Sequence, residues 1–227
     1  MPPYKDLDRL VIFTSIKGTL VNKTPLRVGT GREAPLESPV DMAVYRVGKN
    51  PCIPGSSLKG VMRSTVEMIL RSQNKQTHPP WELPESEKKG DFCAVCGIFG
   101  NQELAAHFRI YDAYPTGEAP LFVKPGVAID RDFGSVAQGP FFEEFVAPGT
   151  EWEFRADIIN IKVFPERNQT DERASLLYEL FKIFKNKGLQ VGARKSVGAG
   201  LVVLKKGRWE TFELKDGSFT NTGTGEL

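Results

Sequence analysis

The amino-acid sequence predicts an α+β domain in which one antiparallel sheet carries two helices on a face. Two stretches have helical spacing of apolar residues, and the segments around them alternate as strands do, giving the order strand, helix, strands, helix, strands. No internal repeat and no linker divides the 227 residues. This order is that of a split βαβ or ferredoxin-like module enlarged by insertions. A single domain is expected over residues 1–214, followed by a flexible tail over 215–227.

The first strand is "RLVIFTSIKGTLV", with Val11, Phe13, Ser15 and Lys17 on one parity and Ile12, Thr14 and Ile16 on the other. A Pro- and Gly-rich connection follows, longer than most, and long ordered loops of this kind are often functional. In "SSLKGVMRSTVEMILRS" the stripe Leu58, Val61, Met62, Val66, Ile69 predicts a helix with Ser56 or Ser57 as its cap. Residues 73–100 are expected to form an insertion, polar and proline-containing up to Gly90. Strands are expected in "AHFRIYDAYP" and from Glu151, with a protruding hairpin over about 130–142 between them. The clearest helix is "TDERASLLYELFKIFKNKG", where Leu177, Leu180, Phe181 and Phe184 share a face, acids open the helix, lysines close it and Gly188 ends it. The strands "AGLVVLKK" and "RWETFEL" follow, and "DGSFTNTGTGEL" is expected to fray.

Composition narrows the function. Hydrophobic residues make up 40% and charged residues 26%, and the formal charge is +2, so a polyanion must be met by a local patch and not by a global field. No apolar segment has bilayer length and the start lacks a secretory signal, so a cytoplasmic protein with no membrane partner is expected. Three cysteines in a reducing compartment make a disulfide unexpected, so a close pair reads as a metal site, a redox motif or a coincidence.

The segment "VGARKSVGAGLVVL" resembles a phosphate cradle but lies between a helix and a strand. Walker and Rossmann loops need a helix N-terminus after the glycines, so nucleotide binding is disfavoured. Gly192 and Gly198 let backbone N–H groups approach phosphate, Arg194 and Lys195 supply charge, and Ser196 adds a donor. A plain tight turn is the competing reading of the glycines alone. Upstream, Ser56 and Ser57 stand at a helix start, while Lys59 and Arg63, four residues apart, point the same way. An RNA backbone suits both segments, and no RNP1-like run is present to stack bases as an ordinary RRM does.

The glycine loop "GARKSVGAG", the helix entry "IPGSSLKGVMRS", "CAVCGIFG" and "IDRDFG", in their order along the chain, resemble the RAMP superfamily of CRISPR-associated proteins. The likeness covers about Leu10 to Leu204 and is greatest to the repeated backbone subunits of type III effector complexes in antiviral defence. It implies a modified ferredoxin-like, RRM-like fold whose copies line up along a guide CRISPR RNA beside other effector subunits, with complementary target RNA paired to the guide. It also implies that the helix entry and glycine loop lie on the guide backbone, and that a hairpin resembling 130–142 interrupts the duplex. Arg131 is a candidate RNA contact, with pairing to Asp130 or Asp132 as the alternative.

In type III subunits that cut target RNA, an aspartate precedes the proline of a "D-S-P-V"-like loop. The corresponding loop here is "APLESPVDM", which puts Glu37 at that position, with Glu33 and Asp41 four residues away on either side. Such a carboxylate could position Mg2+ or orient a ribose 2′-hydroxyl for metal-dependent endoribonuclease cleavage. The extra methylene of Glu37 bears on activity, since displacement near an ångström alters rates by orders of magnitude. Solvated loop acids are the competing reading. Other readings are a RAMP endoribonuclease that processes precursor guide RNA, and an RNA-binding protein outside CRISPR. His107 is a lone candidate base.

Cys93 and Cys96 have the spacing of half a zinc knuckle, and His78 lies upstream in a segment able to fold back, so these three are candidates for structural zinc, with an apolar pair in a turn as the competing reading. Asp91, His107, Cys52 or water are candidates for the fourth position.

Overall fold

The computed structural model describes residues 4–29 and 40–227; Glu33 and Glu37 lie outside the described residues. Along the chain run β1 (Ile12–Asn22), β2 (Arg46–Val47), β3 (Asn50–Pro51), α1 (Gly55–Ser72), α2 (Glu85–Lys88), α3 (Ala94–Phe99), β4 (Phe108–Ile110), β5 (Leu121–Ile129), β6 (Val136–Val146), β7 (Glu151–Ile159), α4 (Glu172–Asn186), β8 (Leu189–Gln190), β9 (Leu201–Lys215) and β10 (Ser218–Glu226). The main sheet has the order β10-β9-β1-β7-β4, with β8 attached to β9, and every pairing in it is antiparallel. The predicted α+β architecture with its antiparallel sheet and few helices is the observed one.

Strand β1 is central because both neighbours pair along nearly its whole length, from Phe13↔Ile159 to Val21↔Glu151 on β7 and from Ile12↔Glu213 to Asn22↔Val202 on β9. Its inward parity is Thr14, Ile16 and Leu20, which are buried with Trp152, Phe154, Ala156 and Ile158 of β7. Two stripes cover this face: Leu58, Met62, Val66 and Leu70 of α1, and Leu176, Leu177, Leu180, Phe181 and Phe184 of α4. Phe108 sits edge-on between Phe99 and Phe181, and Phe154 meets Phe184 in the same manner. Burying each such side chain contributes about 1.5–3 kcal/mol, so the two helices and the sheet stabilise one another through this layer.

The helix entry differs from expectation. Ser56 and Ser57 lie inside the first turn of α1, and the residue at the cap position is Pro54, which offers no side-chain acceptor. Asp112, just after β4, supplies the acceptor: its Oδ1 takes the Gly55 N–H at 2.7 Å. The approach is close because Gly55 has no Cβ; one would lie 2.5 Å from the Ile110 carbonyl oxygen.

Two boundaries also change. The excursion expected over about 130–142 is the turn and returning limb of a longer hairpin, β5–β6, whose register runs from Leu121↔Val146 to Ile129↔Val136. Its turn is closed by the Asp130 carboxylate, which accepts the N–H groups of Asp132 and Phe133. The expected tail is ordered instead: β10 pairs with β9 from Ser218↔Lys215 to Glu226↔Arg208. The sequence concealed this strand because Ser, Thr and Gly give no apolar alternation, yet a free edge on β9 satisfies its backbone groups whatever the side chains.

Candidate nucleic-acid interface and metal cluster

The glycine loop leaves β8 and enters β9 through a short 3-10 turn, Lys195–Val197. Arg194, Gly192, Gly198 and Gly200 all have positive φ, so the backbone winds through conformations that glycine enters without strain. A Cβ on Gly192 would overlap the Arg27 carbonyl, and one on Gly200 the Val191 carbonyl, so these two glycines are required by packing. The outer residues Lys195, Ser196 and Gly198 are exposed.

Arg194 does not project freely. Its Nε donates to both oxygens of Glu143 at 2.9–3.0 Å, and its guanidinium lies over Phe141. Glu143 also pairs with Arg27 at 3.1 Å, so one buried carboxylate serves two cations. Lys195 makes no ion pair among the described residues and is the open cation of this loop.

Hydrogen bonds connect the glycine loop to the distant helix entry. Ala193 donates to the Arg27 carbonyl, Tyr45 donates to Val28, and Cys52 donates to Tyr45 immediately before α1. The strap 40–46 is laid along β6: Asp41 and Met42 donate to Phe142, Glu144 donates back to Met42, and the Glu144 carboxylate takes the Val44 N–H and Arg46. Asp41 is part of this seam, since its Oδ2 accepts the Phe142 N–H at 2.6 Å. That carboxylate oxygen holds the strap in place.

At α1 the Asp112 carboxylate already answers the helix dipole, so phosphate attraction rests on side chains. Lys59 is half-buried, and burial first, then the neighbouring charge of Arg63, lower its pKa. Arg63 is committed to structure: Nε binds Glu67 at 2.9 Å, Nη1 binds the Gly100 carbonyl at 2.7 Å, and Nη2 lies 3.6 Å from Cys96 Sγ. Arg131 sits in the hairpin turn, exposed, and forms no ion pair with Asp130 or Asp132 among the described residues.

The insertion assembles His78, Cys93 and Cys96 as expected from their spacing, and adds Glu87, with ligand atoms of all four within 4.8 Å of one another. His78 Nε2 lies 3.6 Å from each sulfur and 2.8 Å from Glu87 Oε1. Tetrahedral zinc with Zn–S near 2.3 Å and Zn–N near 2.0–2.1 Å requires an N···S separation of about 3.5–3.6 Å, which the two His78–cysteine distances match, while Glu87 meets His78 as a hydrogen-bond partner. His78 Nδ1 faces the Pro79 carbonyl at 2.9 Å, the arrangement that leaves Nε2 as the ligating nitrogen. Glu87 is itself held in place: Asn101 donates to its Oε2 and the Cys93 N–H donates to its Oε1 at 2.9 Å.

The two thiols differ in their electrostatics. The hydrogen bond from Cys93, with Arg63 and Asn101 assisting against burial, brings the Cys96 thiol down to about 7, while that same pairing and burial push Cys93 up. Burial opposes charge on Glu87, but hydrogen bonds from the Cys93 N–H, the Cys93 thiol and His78 outweigh it and lower its pKa. The other fourth-ligand candidates lie outside the cluster. His107 is fully buried and bonded to Asp6 at 2.6 Å, Cys52 is buried before α1, and Asp91 is exposed. Burial of His107 also removes it as an accessible base. No local pattern marked Glu87, which lies in α2 and is one of the acids Glu82, Glu85, Glu87 and Asp91 between His78 and Cys93.

A family model of the RAMP superfamily matches residues 19–203, from the middle of β1 to the start of β9. The chain belongs to the RAMP superfamily. No curated protein matches it. Among solved structures this RAMP protein is similar to a chain in the cryo-EM structure of the type III-B Cmr-beta bound to cognate target RNA, with a TM-score of 0.57 and 19% identity over 88% of this chain. It spans 61% of that chain's length, and the likeness concerns the fold. No described helix of the RAMP protein is long and apolar enough to cross a membrane.

Proposed function

We propose that this RAMP protein is a backbone subunit of a type III CRISPR ribonucleoprotein effector that holds guide RNA by its phosphates. The observation carrying this reading is the hydrogen-bonded path from the glycine loop through Arg27, Val28, Tyr45 and Cys52 to α1, which makes two remote motifs one rigid unit. Lys195, Ser196 and the loop amides form one part of the surface, and Ser56, Ser57 and Lys59 the other. Such contacts carry no base information, so target choice falls to pairing between guide and complementary RNA. Copies of the chain and other effector subunits are its expected partners. Structural zinc on His78, Glu87, Cys93 and Cys96 fixes the insertion against α1 through Arg63, and supplies folding energy, not chemistry.

Protein purified from its native cell is expected to carry RNA, seen as a raised 260/280 nm ratio and a band on a denaturing gel. RNA-free native material would overturn the assignment. Lys195→Ala is expected to weaken binding evenly across sequences and reduce the salt slope by about one.

Cleavage is proposed at Glu37, which keeps the carboxylate of the resembled family's aspartate. The assembled complex with complementary RNA and Mg2+ is expected to cut at regular spacing, and Glu37→Gln to stop it. Cutting that survives the substitution rules Glu37 out, and intact RNA with the native complex rules cleavage out. Cutting of repeat RNA by the protein alone, without metal, would instead identify a guide-processing nuclease.

A further inference from the structure

A groove of about 610 Å3 opens between the first turns of α1 and the insertion that carries the His78–Glu87–Cys93–Cys96 cluster. Trp81 and Phe99 form apolar walls, Lys59 and Arg63 line one side, Gln102 offers an amide, and Gly60 leaves the floor open, with nothing within 4 Å of where its Cβ would stand. No carboxylate lines it. Trp81 is 67% exposed, whereas Trp152 and Trp209 are 1% and 8% exposed. Lys59 is half-buried and makes no ion pair or hydrogen bond among the described residues, in contrast to Arg63, which Glu67 neutralises.

We infer that this groove binds one nucleotide of single-stranded RNA, its base stacked on Trp81 and its phosphate on Lys59. An indole held in water beside a partly desolvated, uncompensated ammonium matches the pairing that single-stranded nucleic acid presents, a π-face next to an anion. An aromatic face beside a half-buried ammonium, with no acid among the described lining residues, suits a base and its phosphate better than an apolar helix. Position is set by the insertion: three residues before Trp81, His78 holds the Pro79 carbonyl through Nδ1 and Glu87 through Nε2, anchoring the segment that leads to the stacking residue. This inference rests on the RNA-binding reading above and adds a base contact to a surface otherwise made of backbone contacts.

The test uses the full chain and oligouridine, with an abasic ribose-phosphate oligomer of equal length as comparison. Because the other two tryptophans are buried, quenching of fluorescence by oligouridine is expected to report Trp81 and to vanish in Trp81→Phe. The abasic oligomer is expected to bind without quenching. Trp81→Ala, an exposed substitution whose folding is checked by its melting temperature, is expected to weaken oligouridine about five- to 150-fold and leave the abasic oligomer unchanged. Filter-retained oligouridine with no quenching overturns the stacking site and leaves RNA binding standing. Failure to retain either oligomer overturns RNA binding itself. Loss of self-association in Trp81→Ala at unchanged RNA affinity would mark the groove as a protein interface and overturn the inference.

Discussion

Asp112 shows at the residue scale how a helix can be started from a distance. Its carboxylate accepts the Gly55 N–H from 57 positions along the chain, doing the work expected of a neighbouring serine. Asp112→Ala is expected to cost about 0.5–2 kcal/mol, read as a lower melting temperature, with Asp112→Asn retaining most of the stability. Gly200→Ala places a methyl into the Val191 carbonyl at positive φ, and is expected to destabilise by more than about 2 kcal/mol and to reduce RNA binding together with it. His107 gives a pH dependence. Burial lowers its pKa, and the Arg173 charge adds to this against the Asp6 hydrogen bond. The folded protein takes up this proton less readily than the unfolded chain, so stability is full above about pH 6.5 and falls as pH drops below it, by at most about 1.4 kcal/mol per unit. Urea unfolding between pH 7.5 and 5.5 should lose less stability toward low pH in His107→Asn than in the native chain, because the raised pKa of His78 acts in the opposite direction in both.

Among elements, the hairpin and the last strand make opposite contributions. Strand β5 and the outer half of β6 expose nearly every side chain, with Phe133 at 85%, so the hairpin's outer part adds little to the core. Replacing residues 127–138 by two glycines is expected to move the melting temperature by no more than about 2 °C, while removing the feature that the resembled family places in the duplex. Strand β10 covers an edge. Trp209 stacks on Phe164 at 5.1 Å, and Gly225 of β10 lies against the indole where a side chain would not fit. Ending the chain after Asp216 is expected to cost about 2 kcal/mol or more, a fall of about 4–8 °C in a thermal melt.

At the scale of the whole molecule, the His78–Glu87–Cys93–Cys96 cluster and the glycine loop are tied to opposite ends of α1's surroundings, the first through Arg63 and the second through the strap. Elemental analysis is expected to find one zinc per chain, chelation to lower the melting temperature and added zinc to restore it, with Glu87→Gln weakening retention. The sequence by itself determined the two amphipathic helices, the central strand, the cysteine pair at knuckle spacing and the family, because each is written in local periodicity or in a contiguous motif. Glu87, Asp112, the Arg63 bridge, the neutralisation of Arg194 by Glu143 and the order of β10 were decided only by the tertiary structure. Each depends on which remote groups are left needing a partner once the sheet and helices are packed: an amide at a helix start, a guanidinium beside a buried carboxylate, a free strand edge. Unsatisfied polar groups are a property of the folded arrangement, and no spacing along the chain encodes them.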